Sequence, residues 1–433
     1  MRAEASIFTE GCRLEPYWWR AAPHDRAPPV ESLPKSADVA IVGSGITGIA
    51  AALHLAEAGR SVVVIDAKEP GYGASTRNAG YVGRMLKHTF GEIANSHGLS
   101  HAIAIYRELM QAFRSVGEAI TKWNIQCCYR TQGRFLMATS PAMYEAMVRE
   151  FELRAKHLGE EFSPVSRSDQ KSEIQTSHYQ GGVRIEDHAG LHPGLYHRGL
   201  LEAARRLGVI VRGFTPVTAI GGQEGDHEVK TQAGTVEARQ VLVATNGYTG
   251  DLIPWLKRRI MPFDAYVITT EQLDKDLVAK LLPTDRTYID WNFNVDYIRR
   301  APDDPSRIVF GGLTGERVSD LRAMAKRLHA RLVRIFPHLA GARIDNVWTG
   351  RCAGTFDLYP HLGTHNGIHY ALGYCFAGVP MGTWFGLKSA QRILGVPHAP
   401  SVFAERSMTS HPLYWGNPWF VPLAIRIMSR HDH

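Results

Sequence analysis

The stretch from Asp38 to Asp66 limits what this chain can fold into more than any other. It begins Asp-Val-Ala-Ile-Val, a short apolar run of the kind that forms a buried parallel strand. Gly43, Gly45 and Gly48 follow at GxGxxG spacing. Ile46 to Ala58 is then rich in Ala and Leu, which favours helix, and Gly59 sits where a helix stops. Ser61 to Ile65 is a second apolar, β-branched run, closed by Asp66. Each piece has a task in a βαβ unit that binds a dinucleotide. The first glycine permits the tight turn off the strand, the second lets backbone N–H groups approach a pyrophosphate, and the third lets helix and strand lie close. The helix N-terminus turns its partial positive charge toward the phosphates. Asp66 lies 18 residues after Gly48, about where a ribose-binding acid belongs. These features do not separate FAD from NAD.

The chain of 433 residues has room for two or three domains. Residues 1–36 read as an arm, with aromatic Pro16-Tyr17-Trp18-Trp19 expected to dock on the body or a neighbouring subunit, and prolines at 23, 28, 29 and 34. Residues 37–92 form the first part of the nucleotide unit, with a loop of small polar residues, Ala74-Ser75-Thr76-Arg77-Asn78-Ala79-Gly80, directly after the βαβ. Helical periodicity over 97–123 and 141–158 places a substrate-facing region at 93–180. The nucleotide unit is expected to resume over 181–260: a strand at Gly182–Ile185, a helix opened by Pro193, strands near 209–211 and 217–220, and a hairpin around Ala233-Gly234. Val241 to Ala244 then runs into Thr245-Asn246-Gly247-Tyr248. Residues 261–344 change character. Their short, alternating, aromatic-rich runs predict an antiparallel sheet, with a turn at Asp304-Pro305 and a helix over 316–336. The nucleotide unit returns over 345–396, where Gly373 to Thr383 opens a last helix, and 397–433 is a tail. The fold class is therefore α/β, a Rossmann-like nucleotide-binding domain with a discontinuous α+β substrate domain containing an antiparallel sheet.

Charge and cysteine content exclude more than they specify. The net charge of +7 is not concentrated in any long Lys/Arg block with interleaved aromatics, so a solvated surface is expected rather than a nucleic-acid face. Five cysteines without a CxxC argue against a disulfide framework or a zinc site and for a reducing compartment, hence the cytoplasm. No apolar signal core is visible in Met1 to Pro34, and no run is long enough to span a bilayer. The apolar stretch Trp419 to Met428 is too short to span and is expected to be a packed tail, with an interfacial membrane contact as the alternative.

Taken together, Pro16-Tyr17-Trp18-Trp19, the glycine turn, Ala74 to Gly80, Leu191-His192-Pro193, Ala244 to Tyr248 and Gly373 to Thr383 give the chain its resemblance. It resembles FAD-dependent amine and amino-acid oxidoreductases of the D-amino-acid oxidase, glycine oxidase and sarcosine oxidase family. Within them it is nearest the gamma-glutamylputrescine oxidoreductase-like branch. The resemblance implies FAD contacts at Gly43, Ser44, Gly45, Ile46, Thr47, Gly48, Asp66 and Ala67, and at Ala74, Ser75, Arg77, Asn78, Ala79 and Gly80. It implies others at Val217, Ala244, Thr245, Asn246 and Gly247, and at Gly373, Gly378, Val379, Met381, Gly382 and Thr383. Family members often read Gly-Tyr-Ser-Gly-His-Gly at the C-terminal flavin loop; here Gly373-Tyr374-Cys375-Phe376-Ala377-Gly378 lacks the His. Some attach the flavin to a cysteine near Cys352, but the spacing to Asp357 fits poorly and non-covalent FAD is expected.

The chemistry implied is oxidation of a C–N bond in a small amine or amino acid. A hydride passes to flavin N5, the imine hydrolyses, and the electrons go to oxygen. A dehydrogenase feeding a quinone or protein acceptor is the alternative, and a flavin-fold protein in tRNA modification or a binding role is a third. Arg351 is the candidate to hold a substrate carboxylate, since guanidinium offers a bidentate fork, with a structural ion pair the equal alternative. Tyr266 and Trp291 are candidates to line the pocket, with core packing the commoner fate of such aromatics; no catalytic base is identifiable, and His188 and His192 are expected to be structural.

Overall fold

The glycine turn forms as its spacing predicts: strand Ser36–Val42, helix Ile46–Glu57 and strand Val62–Ile65 follow one another, the two strands pairing in parallel from Val39–Val62 to Val42–Ile65. The computed structural model describes residues 6–24, 32–316, 318, 320–397 and 400–431. These strands sit at the centre of an eight-stranded mixed sheet. Ile210–Arg212 adds beyond Val62–Ile65, and Gly234–Val243 adds on the other side of Ser36–Val42, both in parallel. The strand Gly234–Val243 serves two neighbours on one edge. Its first half pairs antiparallel with Asp226–Thr231, giving the hairpin expected at Ala233-Gly234. Its second half pairs in parallel with Ile368–Leu372. The central strands are buried Val and Ile on both faces, as a parallel sheet covered on both sides requires. Helices Ile46–Glu57, Pro193–Arg206 and Gly378–Ile393 belong to this layer. Gly386 lets the last helix approach the first, since a Cβ there would lie 2.5 Å from that of Ala50.

A second, nine-stranded sheet runs in the order Phe8–Arg13, Ile344–Thr355, Ile260–Thr270, Ile308–Gly312, Tyr297–Arg300, Thr287–Asp290, Arg134–Met137, Gly182–Ile185, Ser163–Val165. The alternating runs over 261–344 form its strands Ile260–Thr270, Thr287–Asp290, Tyr297–Arg300 and Ile308–Gly312, and the turn at Asp304 closes with an Arg307 N–H donating to the Asp304 carbonyl at 3.1 Å. One face packs against helix Leu321–Ile335 through a core that includes Ile268, Phe310, Leu328 and Val347.

Three expectations need correction. Strand Gly182–Ile185, placed with the nucleotide unit, pairs with Arg134–Met137 in the nine-stranded sheet. The run after residue 345 likewise forms the C-terminal part of Ile344–Thr355, the longest strand of that same sheet. A short apolar run does not encode which sheet it joins; partners distant in sequence decide that. The last correction concerns the tail. Tyr414 and Phe420 pack around Phe356, but Trp415, Trp419 and Leu423 stand in solvent.

The N-terminal arm docks on the body of its own chain. Its first described part is a strand, Phe8–Arg13, parallel to Ile344–Thr355. Tyr17 and Trp18 are buried, Trp18 edge-on to Trp348 at 6.1 Å. Residues 1–5 and 25–31, with Pro28 and Pro29, lie outside the described residues.

Candidate functional site

In open parallel sheets ligands bind beyond the C-terminal ends of the strands. Here Ser36–Val42, Val62–Ile65 and Gly234–Val243 end at a cavity of about 470 Å³. Gly43 turns the chain there with φ +106, and a Cβ on it would lie 2.8 Å from the Ala244 carbonyl oxygen. A Cβ on Gly48 would fall 1.9 Å from the Gly43 carbonyl oxygen, so only glycine permits this helix–turn contact. The Asp66 carboxylate accepts from the Ser44 N–H and Oγ, both at 2.7 Å, and from the Lys68 N–H at 3.0 Å. That fixes a negative charge beside the turn.

The loop from Ala74 to Gly80 forms the next wall. Ser75 Oγ accepts from the Ile46 N–H at 2.9 Å and so ties the loop to the helix start. Other elements clamp the loop through its carbonyl groups. Trp18 Nε1 donates to Asn78 O at 2.8 Å, Trp348 Nε1 to Arg77 O at 2.9 Å, and the buried Arg299 to Ala79 O and Gly80 O at 2.9 and 3.1 Å. The arm's aromatic motif is therefore a brace for this loop. Arg77 lines the cavity with its guanidinium already engaged. It donates to Tyr72 O and Thr349 O at 2.6 and 3.0 Å and lies against the rings of Trp19 and Tyr72.

At the far end the cavity meets the nine-stranded sheet. Ala265, Val267, Ile289, Val295, Tyr297, Gly350 and Cys352 line it there, with Tyr81, Cys375 and Phe376. Tyr297 lies over Gly311, where a Cβ would fall 2.1 Å from the ring, and edge-on to Tyr81 at 5.9 Å. Burial raises both phenols, so both stay protonated near neutrality. Burial also pushes the Cys352 and Cys375 thiols up, to about 12 and about 11. Cys375 and Phe376 both have positive φ, +40 and +77.

Most of the residues expected to touch a dinucleotide line this cavity: Gly43, Gly45, Ile46, Thr47, Asp66, Ala67, Ala74, Ser75, Arg77, Asn78, Ala79, Val217, Ala244, Thr245, Asn246, Gly378 and Val379. The others stand behind the wall. Ser44 holds Asp66, Gly48 packs helix on turn, and Gly80 packs against the Leu191 carbonyl. Gly247 packs on the Cys352 carbonyl, and the Gly373 N–H donates to Asn246 Oδ1 at 2.9 Å. Met381 is core, Gly382 faces Thr47, and Thr383 bonds Tyr196 OH at 2.9 Å.

None of the three substrate candidates lines the cavity. Arg351 is exposed and pairs with Asp264 at 3.2 Å, opening instead onto a recess under the C-terminal tail. Tyr266 borders the same recess and donates its hydroxyl to Glu316 O at 2.8 Å. Trp291 packs edge-on to Phe151 at 5.9 Å. Strand alternation explains the miss: Asp264, Tyr266 and Arg351 point away from the face presented by Ala265, Val267, Gly350 and Cys352. Tyr297 was legible by the same rule, since its neighbour Ile298 is core. His192 is structural as expected, its Nδ1 accepting from the Leu195 N–H at the start of a helix.

The glycine turn, the fixed carboxylate and the helix N-terminus at the cavity fit a dinucleotide cofactor, whose ribose hydroxyls would donate to Asp66. The chain belongs to the FAD-dependent oxidoreductase family, whose model matches residues 38–392. It is 31% identical over 408 residues to gamma-glutamylputrescine oxidoreductase of Escherichia coli K12, covering 93% of this chain and 94% of that one. It is 24% identical over 380 residues to a glycine oxidase of Bacillus licheniformis, covering 84% and 94%. The solved glycine oxidase of Geobacillus kaustophilus shares the fold with a TM-score of 0.73 at 22% identity, over 87% of this chain and all of that one.

Proposed function

We propose that this protein oxidises the C–N bond of a small amine, using FAD held without a covalent bond, and that it prefers amines lacking a carboxylate on the reacting carbon. One observation carries the reading: the cavity runs from the Gly43 turn and Asp66 to an apolar wall on the nine-stranded sheet that no cationic side chain lines among the described residues. Its charged lining residues among those described are Asp66, Lys68, Arg77 and Asp251. Arg77 is engaged as described, Asp251 pairs with Lys257 at 2.7 Å, and Lys68 follows Asp66 at the nucleotide end. A carboxylate at the sheet wall would be desolvated with no cation among the described lining residues to offset its charge, which is costly. The name of the Escherichia coli relative, an oxidoreductase of a diamine conjugate, agrees with an amine substrate.

Bound here against the Gly43 turn and Asp66, FAD would supply two-electron oxidation of the C–N bond, with oxygen as the final acceptor. The protein's share is position and dielectric. Ala265, Val267, Ile289 and Val295 exclude water, and a low-dielectric wall favours the neutral amine, the form able to lose hydride. Tyr297, kept protonated, supplies a hydroxyl at that wall. The raised Cys352 and Cys375 thiols are poor nucleophiles, which supports non-covalent FAD.

The test is an absorption spectrum of the purified protein before and after anaerobic addition of gamma-glutamylated diamines, sarcosine, glycine and D-amino acids. We expect a two-band flavin spectrum that acid precipitation releases and an amine bleaches, with peroxide formed once air returns. Bleaching without peroxide would move the acceptor to a quinone or protein. A protein unable to take up FAD would overturn the reading.

A further inference from the structure

The tail from Leu413 to Met428 leaves six large apolar side chains exposed: Leu413, Trp415, Trp419, Leu423, Ile427 and Met428, with Leu413 73%, Trp415 67% and Leu423 60% exposed. The other exposed large apolar side chains are scattered along the chain, as is ordinary for a folded surface. Leu423 and Ile427 are four apart on helix Val421–Met428 and so share a face. The backbone beneath is anchored. Tyr414 OH donates to the Ile260 carbonyl at 2.5 Å, Tyr414 and Phe420 pack around Phe356, and Val421 is buried. The segment is therefore a fixed platform whose outer side is apolar.

Its charge points to the occupant. From Arg406 to His431 the chain contains no Asp or Glu, but carries Arg406, Arg426 and Arg430. Arg258, from another element, lies over the Trp415 ring at 4.0 Å and extends the basic rim. The acids that border the recess beneath the tail are already paired, Asp264 with Arg351 and Glu316 with Arg327. Exposed Trp and Leu with Arg beside them, no acid from Arg406 to His431 and the neighbouring Asp264 and Glu316 already paired, is the pattern of a helix that lies in the interface of a bilayer bearing negative headgroups. No described helix is long and apolar enough to cross a membrane, so such contact would be peripheral.

We infer that the Leu413–Met428 platform docks this protein onto an anionic lipid surface. The apolar side chains enter the headgroup region and Arg258, Arg426 and Arg430 meet the phosphates. The phosphatidylcholine and phosphatidylglycerol vesicles below separate apolar insertion from charge attraction.

The holoenzyme is sedimented with vesicles of phosphatidylcholine alone, and with vesicles holding a third phosphatidylglycerol, at low and physiological salt. Binding to the anionic vesicles is expected to exceed binding to the neutral ones by roughly tenfold or more, and to weaken with salt. Trp415→Ala with Trp419→Ala should abolish it, and Leu423→Ser alone should reduce it several-fold. Both variants should keep their FAD spectrum, because these side chains touch neither the cavity nor the core. Arg426→Gln with Arg430→Gln should erase the preference for anionic lipid. No binding to either vesicle would overturn the inference. So would a self-associated holoenzyme, seen by sedimentation velocity, that Trp415→Ala makes monomeric, since the patch would then join two copies of the chain.

Discussion

The two ends of the cavity are built differently. At the nucleotide end the backbone makes the surface: Gly43, Gly45 and the start of helix Ile46–Glu57 leave no side chain in the way, and one carboxylate, Asp66, is tied down by Ser44. At the sheet end side chains make the surface, contributed by strands more than 200 residues away in sequence, and most of them are apolar. The first end has the geometry that fits a dinucleotide cofactor. The second carries whatever is particular to this protein. Substitutions at the first should therefore remove the cofactor, and substitutions at the second should change turnover while leaving the cofactor in place.

The largest effect should come from Gly48→Val. Its Cβ would meet the Gly43 carbonyl oxygen at 1.9 Å, and backbone on both sides leaves nothing flexible to yield. A loss of about 3 kcal/mol or more in stability is expected, with no FAD retained after purification.

Acidification should act on the same end. His197 is buried, with Nε2 donating to the Ser44 carbonyl at 2.7 Å, and burial lowers its pKa to about 4 from 6.5. Between those values the unfolded chain binds a proton that the folded chain refuses. Stability is therefore full above about pH 6.5 and falls as pH drops toward 4, by up to about 3 kcal/mol. His197→Gln keeps a donor to Ser44 without titrating. Thermal melts at pH 7.5 and 5 should show a shallower pH dependence for this variant than for the parent.

Asp66→Ala removes the charged acceptor and leaves the Ser44 N–H unmatched. FAD affinity should fall by about 2 kcal/mol, roughly 30-fold, measured by fluorescence titration of the apoprotein. At the other end Tyr297→Phe should lower kcat/KM about tenfold, near one hydrogen bond, with FAD affinity unchanged. If Tyr297→Phe loses FAD instead, the division between the two ends is wrong. Arg351→Ala should be the mildest: an exposed ion pair with Asp264 is worth less than about 1 kcal/mol, and kinetics should change less than about twofold. A large rise in KM for carboxylate-bearing substrates would restore Arg351 as their anchor.

The same division explains what the sequence reveals. Gly43, Gly48 and Asp66 are legible because the constraint is local: a turn, a close approach and a strand end fall within one 29-residue stretch. The brace of the Ala74–Gly80 loop is half legible. An aromatic arm has to dock somewhere, but nothing local says that Trp18 meets Asn78 O or that Arg299 meets Ala79 O. The sheet wall is read least well. Tyr266 and Arg351 were reasonable choices by residue type, yet one step of strand parity turns each away from the cavity that Ala265 and Cys352 face. Small apolar residues such as Ala265 and Val267 advertise no chemistry, although their lack of charge is what the proposed substrate preference rests on. Phe376 departs from the glycine that the family often has at its position, and it keeps the positive φ of +77 that a glycine would adopt more readily.

The most direct measurement is anaerobic stopped-flow reduction of the bound flavin by two amines that differ only in a carboxylate on the reacting carbon. Since no cationic side chain among the described residues lines the sheet end of the cavity, the amine without the carboxylate should reduce the flavin at least about tenfold faster at equal concentration. Faster reduction by the carboxylated partner would mean that the wall holds an anion, and would contradict the preference proposed for this cavity.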